Sequence, residues 1–366
     1  MRGLPLELAD AICEDLRLAA PGDLRNLREA NKWWHDVTTP QLFRTLCVTS
    51  TLSSATNATN ILLTPALARY IREFEFRDAT ADSDGNPTKQ ARIQDAKGRD
   101  PDIPEDAIGA LIAVFALLSH AQALSSIKLV FSPLYRETGH PDEPPSPQFR
   151  AQNAIIRILS RILPIFPLRS LRIIHVLAET HPSFSNLLKI TASLRTFHMD
   201  VLSQDYYQEM WPDPSWEGFW DTCMPRYLLP PASPDSPLEN LTIRGQDTIG
   251  IHPRFSLAQR TYPRLSSLSL ASILFDASVG TEAFIVRHAP TLRRLELERC
   301  RIPLDLDEVP ADHWAAIWGR LQEVLTNVEE LVVHEYNGYG EPIPGLTSKP
   351  RSWPRTSRPC EHGWMR

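Results

Sequence analysis

One hydrophobic pattern recurs along this chain. Apolar-x-x-apolar-x-apolar stands at Ile71–Phe74–Phe76, Leu124–Ile127–Leu129, Leu168–Leu171–Ile173 and Leu194–Phe197–Met199. It returns at Leu238–Leu241–Ile243, Leu265–Leu268–Leu270, Leu292–Leu295–Leu297 and Val328–Leu331–Val333. The last three residues of each block alternate inward and outward, which is the period of a short strand. Start-to-start gaps are 53, 44, 26, 44, 27, 27 and 36 residues.

Stretches with helical apolar stripes lie between the blocks, at 107–118, 151–163, 281–288 and 313–325. A strand, a turn and a helix repeated in this way predict parallel strands on one face and helices on the other. No unit buries its own apolar face, so stacking must supply the core. Three of the gaps match the spacing of leucine-rich repeats. The block at Leu292 extends the match, with Cys300 and Ile302 at that repeat's Asn/Cys and Leu positions. The longer gaps hold polar, proline-rich or aromatic inserts near 78–105, 132–148 and 202–237. The expected fold is α/β, an irregular leucine-rich-repeat solenoid over 49–336.

The first 48 residues follow a different pattern. Leu4, Leu8, Ile12 and Leu16 form one stripe of a helix, with Pro5 in its first turn. Asp23 reads as an N-cap, and Leu24, Leu27, Ala30 and Trp34 stripe a second helix. Pro40 opens a third, short helix over 40–46. Such a unit has little core of its own and is expected to lean on a partner or on the next domain.

These residues resemble the F-box, a three-helix adaptor-binding motif. Its pattern starts Leu-Pro and continues Asp-Leu-x-x-Leu-x-x-Val-Ser-Lys-x-Trp; here the matching residues are Leu4, Pro5, Asp23, Leu24, Leu27, Ala30, Asn31, Lys32 and Trp34. Ala30 and Asn31 replace the commoner Val and Ser, and an extra Trp33 precedes Trp34. With the downstream blocks, the chain resembles fungal F-box proteins with degenerate leucine-rich repeats. That resemblance implies a non-enzymatic substrate receptor of an SCF-type cullin-RING ubiquitin ligase. It implies partners in a Skp-type adaptor, a cullin scaffold and a protein substrate, and no cofactor. Adaptor contacts then fall on Leu4, Pro5, Leu8, Ile12, Leu16, Leu24, Leu27 and Trp34, shared with the small core. The other reading is a repeat scaffold whose first helices only cap the solenoid.

Composition narrows the setting. The 366 residues carry a net charge of -6, which disfavours a basic nucleic-acid binder. No apolar run is long enough to span a membrane, and acidic residues interrupt the N-terminus where a signal peptide would be apolar. A cytoplasmic or nuclear location is expected, without membrane or nucleic-acid partners. Five cysteines, none in CxxC, fit neither a zinc ribbon nor a secreted disulfide scaffold. Thirty-two prolines against fifteen glycines predict short elements with many stops. Beyond 336 the apolar period ends, and 337–366 reads as a disordered tail with a charge of +3.

Candidate chemistry is sparse. The nucleotide-loop, serine-hydrolase and zinc-protease motifs are absent. Cys300 and Cys13 read as packing residues, and His175, His181 and His198 lack metal-ligand spacing. No metal site is expected. The aromatic insert, Tyr206, Tyr207, Trp211, Trp216, Phe219 and Trp220, has two readings: substrate contact, or core packing, since Trp216 and Trp220 are one helical turn apart. Ser132, Ser146, Ser233 and Ser236 each precede proline in expected loops, where phosphorylation would add charge.

Overall fold

A computed structural model describes residues 4–82, 84–88, 103–134, 147–162, 166–178, 183–202, 214–302 and 314–334. The tail expected at 337–366, His181, Ser146, Tyr206, Tyr207 and Trp211 lie outside these residues. The chain forms two compact units, Met1–Pro231 and Ala232–Arg366.

The first unit begins with helices α1 (Leu6–Ala19), α2 (Pro21–Ala30) and α3 (Lys32–Leu42). The expected second helix is in fact two. Asn31 takes an extended backbone and its side-chain oxygen accepts the Trp34 N–H at 3.0 Å, an N-cap that starts α3. Pro40 therefore sits in the last turn of α3 instead of opening a helix. There its missing N–H costs only one bond, to the carbonyl of solvent-exposed Asp36.

The chain then turns at once into strand β1 (Thr45–Thr49) where helix was expected to continue to 46. Phe43–Leu46–Val48 is a ninth copy of the repeated pattern, 28 residues before Ile71. Next come α4 (Leu52–Leu62), α5 (Pro65–Ala68), β2 (Glu73–Arg77), α6 (Glu105–Leu117), β3 (Ser126–Val130) and α7 (Pro147–Ile162). They are followed by β4 (Ser170–Leu177), α8 (Phe184–Thr191) and β5 (Thr196–Leu202). The unit closes with a short helix α9 (Pro214–Gly218) that runs into a π-helical segment, Phe219–Leu228.

The five strands are parallel and in sequence order. Parallel neighbours need crossovers, and the helices supply them. Register stacks like positions: Leu46, Phe74, Ile127, Leu171 and Phe197 form one buried ladder. Val48, Phe76, Leu129, Ile173 and Met199 form the next. Phe115 of α6 meets Phe74 and Phe76 edge-on, at 5.2 and 5.8 Å between centroids. The helix α4 was not expected, because its core face is Ala55, Ala58 and Leu62, too small to mark a stripe.

The second unit repeats the plan with β6 (Asn240–Ile249), β7 (Ser267–Ile273), α10 (Thr281–His288), β8 (Arg294–Glu298), α11 (Trp314–Val324) and β9 (Glu330–His334). Its four strands are again parallel and in order. Leu241, Leu268 and Leu295 stack inside, as do Ile243, Leu270 and Leu297. The α/β class with parallel strands and a helix layer is thus present in both units.

Two features of the second unit yield measurable consequences. Gly280 has φ +72°, and a Cβ there would lie 2.5 Å from the Ala258 Cβ. Gly280→Ala combines a left-handed backbone penalty with a clash, and should cost about 2–3 kcal/mol in urea unfolding.

His288 is buried between two backbone groups. Its Nδ1 faces the Phe284 carbonyl at 2.7 Å, and its Nε2 accepts the Tyr262 N–H at 2.8 Å. A carbonyl only accepts and an N–H only donates, so the ring is neutral with its proton on Nδ1. Burial, reinforced by the charge of Arg287, holds its pKa below the ordinary 6.5. The unfolded chain then binds a proton that the folded one refuses. This group's contribution is complete above pH 6.5 and is lost as pH falls from there toward the folded pKa. Urea unfolding between pH 7.5 and 5.5 should show that loss in the parent, and a shallower slope in His288→Asn; equal slopes would assign it elsewhere.

Candidate functional site

Helix α1 is apolar on two faces. Ala9 and Cys13 are fully buried and form a small core with Leu24 and Val37, against which Leu16, Leu27, Trp34 and Leu42 pack. On an adjoining face Leu8 and Ile12 are 55% and 41% exposed; Leu4, before the helix, is 41% exposed, and Leu6, 57% exposed, lies on the opposite flank of the buried stripe. Helical spacing explains the split. Positions 9, 13 and 16 follow the i, i+4, i+7 step inward, while 8 and 12 lie about one hundred degrees away around the axis.

The eight residues expected at an adaptor face therefore divide. Leu4, Pro5, Leu8 and Ile12 are exposed. Leu24 is buried, and Leu16, Leu27 and Trp34 are half-buried against the core. The expected single stripe of Leu4, Leu8, Ile12 and Leu16 is corrected accordingly: Leu16 turns inward with Cys13. Pro5 caps α1 from outside, with its carbonyl accepting from Leu8 and Ala9, each at 3.1 Å. Two exposed apolar residues escaped the sequence reading as contacts. Leu6 lies off the stripe, and Trp33, 38% exposed, stands edge-on to Trp34 at 4.6 Å.

The helices are tied to the first repeat. Arg44, between α3 and β1, reaches Glu14 of α1 at 3.3 Å and Glu73 of β2 at 3.2 Å. Glu14 also pairs with Arg17 at 2.8 Å, and that hydrogen bond holds its carboxyl below the usual range.

Other candidates have structural roles. Trp220 is fully buried and Trp216 nearly so, with centroids 5.7 Å apart, so of the two readings core packing holds for both. Burial leaves Trp220 no surface, and Trp216 little, for contact with a substrate. Cys13 is buried, and desolvation raises its pKa. The Cys300 thiol donates to the Leu270 carbonyl of the previous strand at 3.6 Å; enclosure pushes its pKa up to about 11, so it stays protonated. Asp78, Ser132 and His175 line one small cleft. Yet the Ser132 hydroxyl bonds Thr80, which bonds Asp78, while the His175 Nδ1 faces the Phe131 carbonyl. No nucleophile–base pair results. Ser132 and Ser236 are buried, so the loop exposure expected of these Ser-Pro steps is absent at both.

Among the described residues no three His, Cys, Asp or Glu side chains converge as metal ligands, and no helix is long and apolar enough to cross a membrane. No protein-family model matches the chain, and no curated protein matches it in sequence.

Proposed function

We propose that the protein is an F-box-type substrate receptor. In this reading α1–α3 dock on a Skp-type adaptor of a cullin-RING ubiquitin ligase, and the repeats hold a protein to be modified. The observation that carries it is the second apolar face of α1. Leu8 and Ile12, with Leu4 just before the helix, are left outward after Ala9 and Cys13 have filled the core. A fully buried Leu or Ile contributes roughly 1.5–3 kcal/mol, so this face stores several kcal/mol for a partner to realise. The Leu4-Pro5 start and the Asp23–Trp34 spacing support the same reading.

The capping reading is favoured by one observation, the Glu14–Arg44–Glu73 bridge. A cap, however, uses only the inner face of α1 and gives Leu8 and Ile12 no role. The direct test is titration of the full chain with a purified Skp-type adaptor, followed by gel filtration. A one-to-one complex is expected; two separate peaks at micromolar concentrations would refute the adaptor role.

A further inference from the structure

The residue that precedes each strand forms a hydrogen-bonded ladder across the first unit. Arg72 N–H bonds the Arg44 carbonyl, Ser125 N–H that of Arg72, Arg169 N–H that of Ser125, and Arg195 N–H that of Arg169, at 2.7–2.9 Å. Four of these five positions are arginine, at the pitch of neighbouring strands, about 4.8 Å per step. Register places Glu75, Lys128, Arg172 and His198 in the row beside it, basic beyond β2, and between the rows run Glu73 and the hydroxyl residues Ser126, Ser170 and Thr196.

Part of this charge is paired inside the protein. Arg44 pairs with Glu14 and Glu73, and Lys128 and Arg77 pair with Glu75. Arg69, Arg72, Arg169 and Arg172 are exposed and make no ion pair among the described residues; Arg69 bonds the Tyr70 hydroxyl. Arg44, Arg69, Tyr70 and Arg72 also line one cleft, at the α3 end of the ladder.

The second unit shows what the same position looks like when it is neutralised. Its ladder reads Glu239, Ser266, Arg293 and Glu329. On its strand face Arg244 binds Glu296 and Glu298, both at 2.8 Å, and Arg294 binds Glu330 at 2.9 Å. On its strand face the second unit pairs Arg244 and Arg294, whereas the first leaves Arg72, Arg169 and Arg172 without an ion pair among the described residues.

We infer that the arginine ladder of the first unit binds an extended, Asp/Glu-rich segment of a protein partner. Carboxylates on alternate residues of such a segment recur about every 6.8 Å, and the long arms of Arg72 at β2 and of Arg169 and Arg172 at β4, strands about 9.6 Å apart, can each meet one. Nucleic acid fits less well. Trp33 on α3 is the only exposed aromatic ring among the described residues, and Arg69 covers the face of Tyr70 at 4.6 Å, so the strand face has no stacking platform. Calling that partner the ligase substrate rests on the adaptor reading; the charge recognition does not.

The test uses fluorescence anisotropy on the full chain. The probe is a labelled dodecapeptide of alternating Glu and Ser; an uncharged Gly-Ser peptide and a twelve-nucleotide oligothymidylate are the comparisons. The acidic peptide is expected to bind saturably and to weaken steeply with added salt. Combined Arg72→Glu, Arg169→Glu and Arg172→Glu should lower its affinity at least about tenfold. Arg161→Glu, an exposed position on helix α7, should leave it unchanged, and melting curves should match for all chains. Absent binding, equal binding by the triple variant, or tighter binding of the oligonucleotide would each overturn the inference. Adaptor titration of the same samples separates the two proposals: a chain that binds adaptor but not peptide loses only the ladder, and the converse loses only the adaptor.

Discussion

Leu8→Asp combined with Ile12→Asp should abolish capture of a Skp-type adaptor while leaving the fold intact. Both side chains are about half-exposed on the outer face of α1. Covering them would bury two apolar groups, and the variant instead asks a partner to desolvate two carboxylates. The combined loss is at least about 3 kcal/mol, more than about 100-fold in Kd. Folding should barely respond, because surface changes of this kind usually stay within roughly 0.5 kcal/mol. Ala9→Asp, one residue further along the helix, makes the opposite prediction. It places a charge in the core beside Cys13 and Leu24 and should unfold the three helices. Calorimetric titration and thermal melting of the two variants read both effects. Unchanged adaptor affinity in the double variant would reduce α1–α3 to a cap.

Trp220→Ala should destabilise the first unit by about 3–5 kcal/mol. Trp220 is fully buried, edge-on to Phe219 at 5.6 Å and Trp216 at 5.7 Å, and Phe219 in turn meets Phe184 of α8 at 6.0 Å. Removing the indole leaves a large cavity under the π-helical segment, whose i→i+5 bonding, seen in Leu229 N–H to the Met224 carbonyl at 2.9 Å, limits collapse. Urea unfolding measures the loss. A substrate-contacting tryptophan would behave differently, with unchanged midpoint and weakened binding, and that outcome would return the insert to the interaction surface.

The repeating strands were legible because their signal is local and redundant. Each of the eight patterned blocks forms a strand, and seven of them bury all their pattern residues. The eighth, in β9, is half-exposed, with Val333 at 38%, as befits a terminal strand. The ninth copy, Phe43–Leu46–Val48, was hidden by the helix before it: the same leucine spacing serves either element until the Asn31 cap resets the frame. On α1 the periodicity marked Leu4, Leu8, Ile12 and Leu16 as one stripe, without dividing it between core and partner. The inner face is Ala9, Cys13 and Leu16. Small residues signal burial weakly, and a helix with two apolar faces does not declare which one the protein itself uses. Charge neutralisation was likewise unreadable, since Arg169 and Arg293 differ only in what the register sets beside them.

Only Phe43 and Arg44 separate α3 from β1, and Arg44 is bonded at once to the first helix and to the second strand. A flexible tether at this point would let the helices and the strands sample many relative poses. Here the junction works as a bracket. Under the adaptor reading, whatever seats on α1 would take a set bearing toward β1 and β2, and the cargo lysines within range would be chosen by angle before any chemistry began. Lengthening that two-residue joint with glycines would therefore redirect modification to other lysines without touching either binding surface.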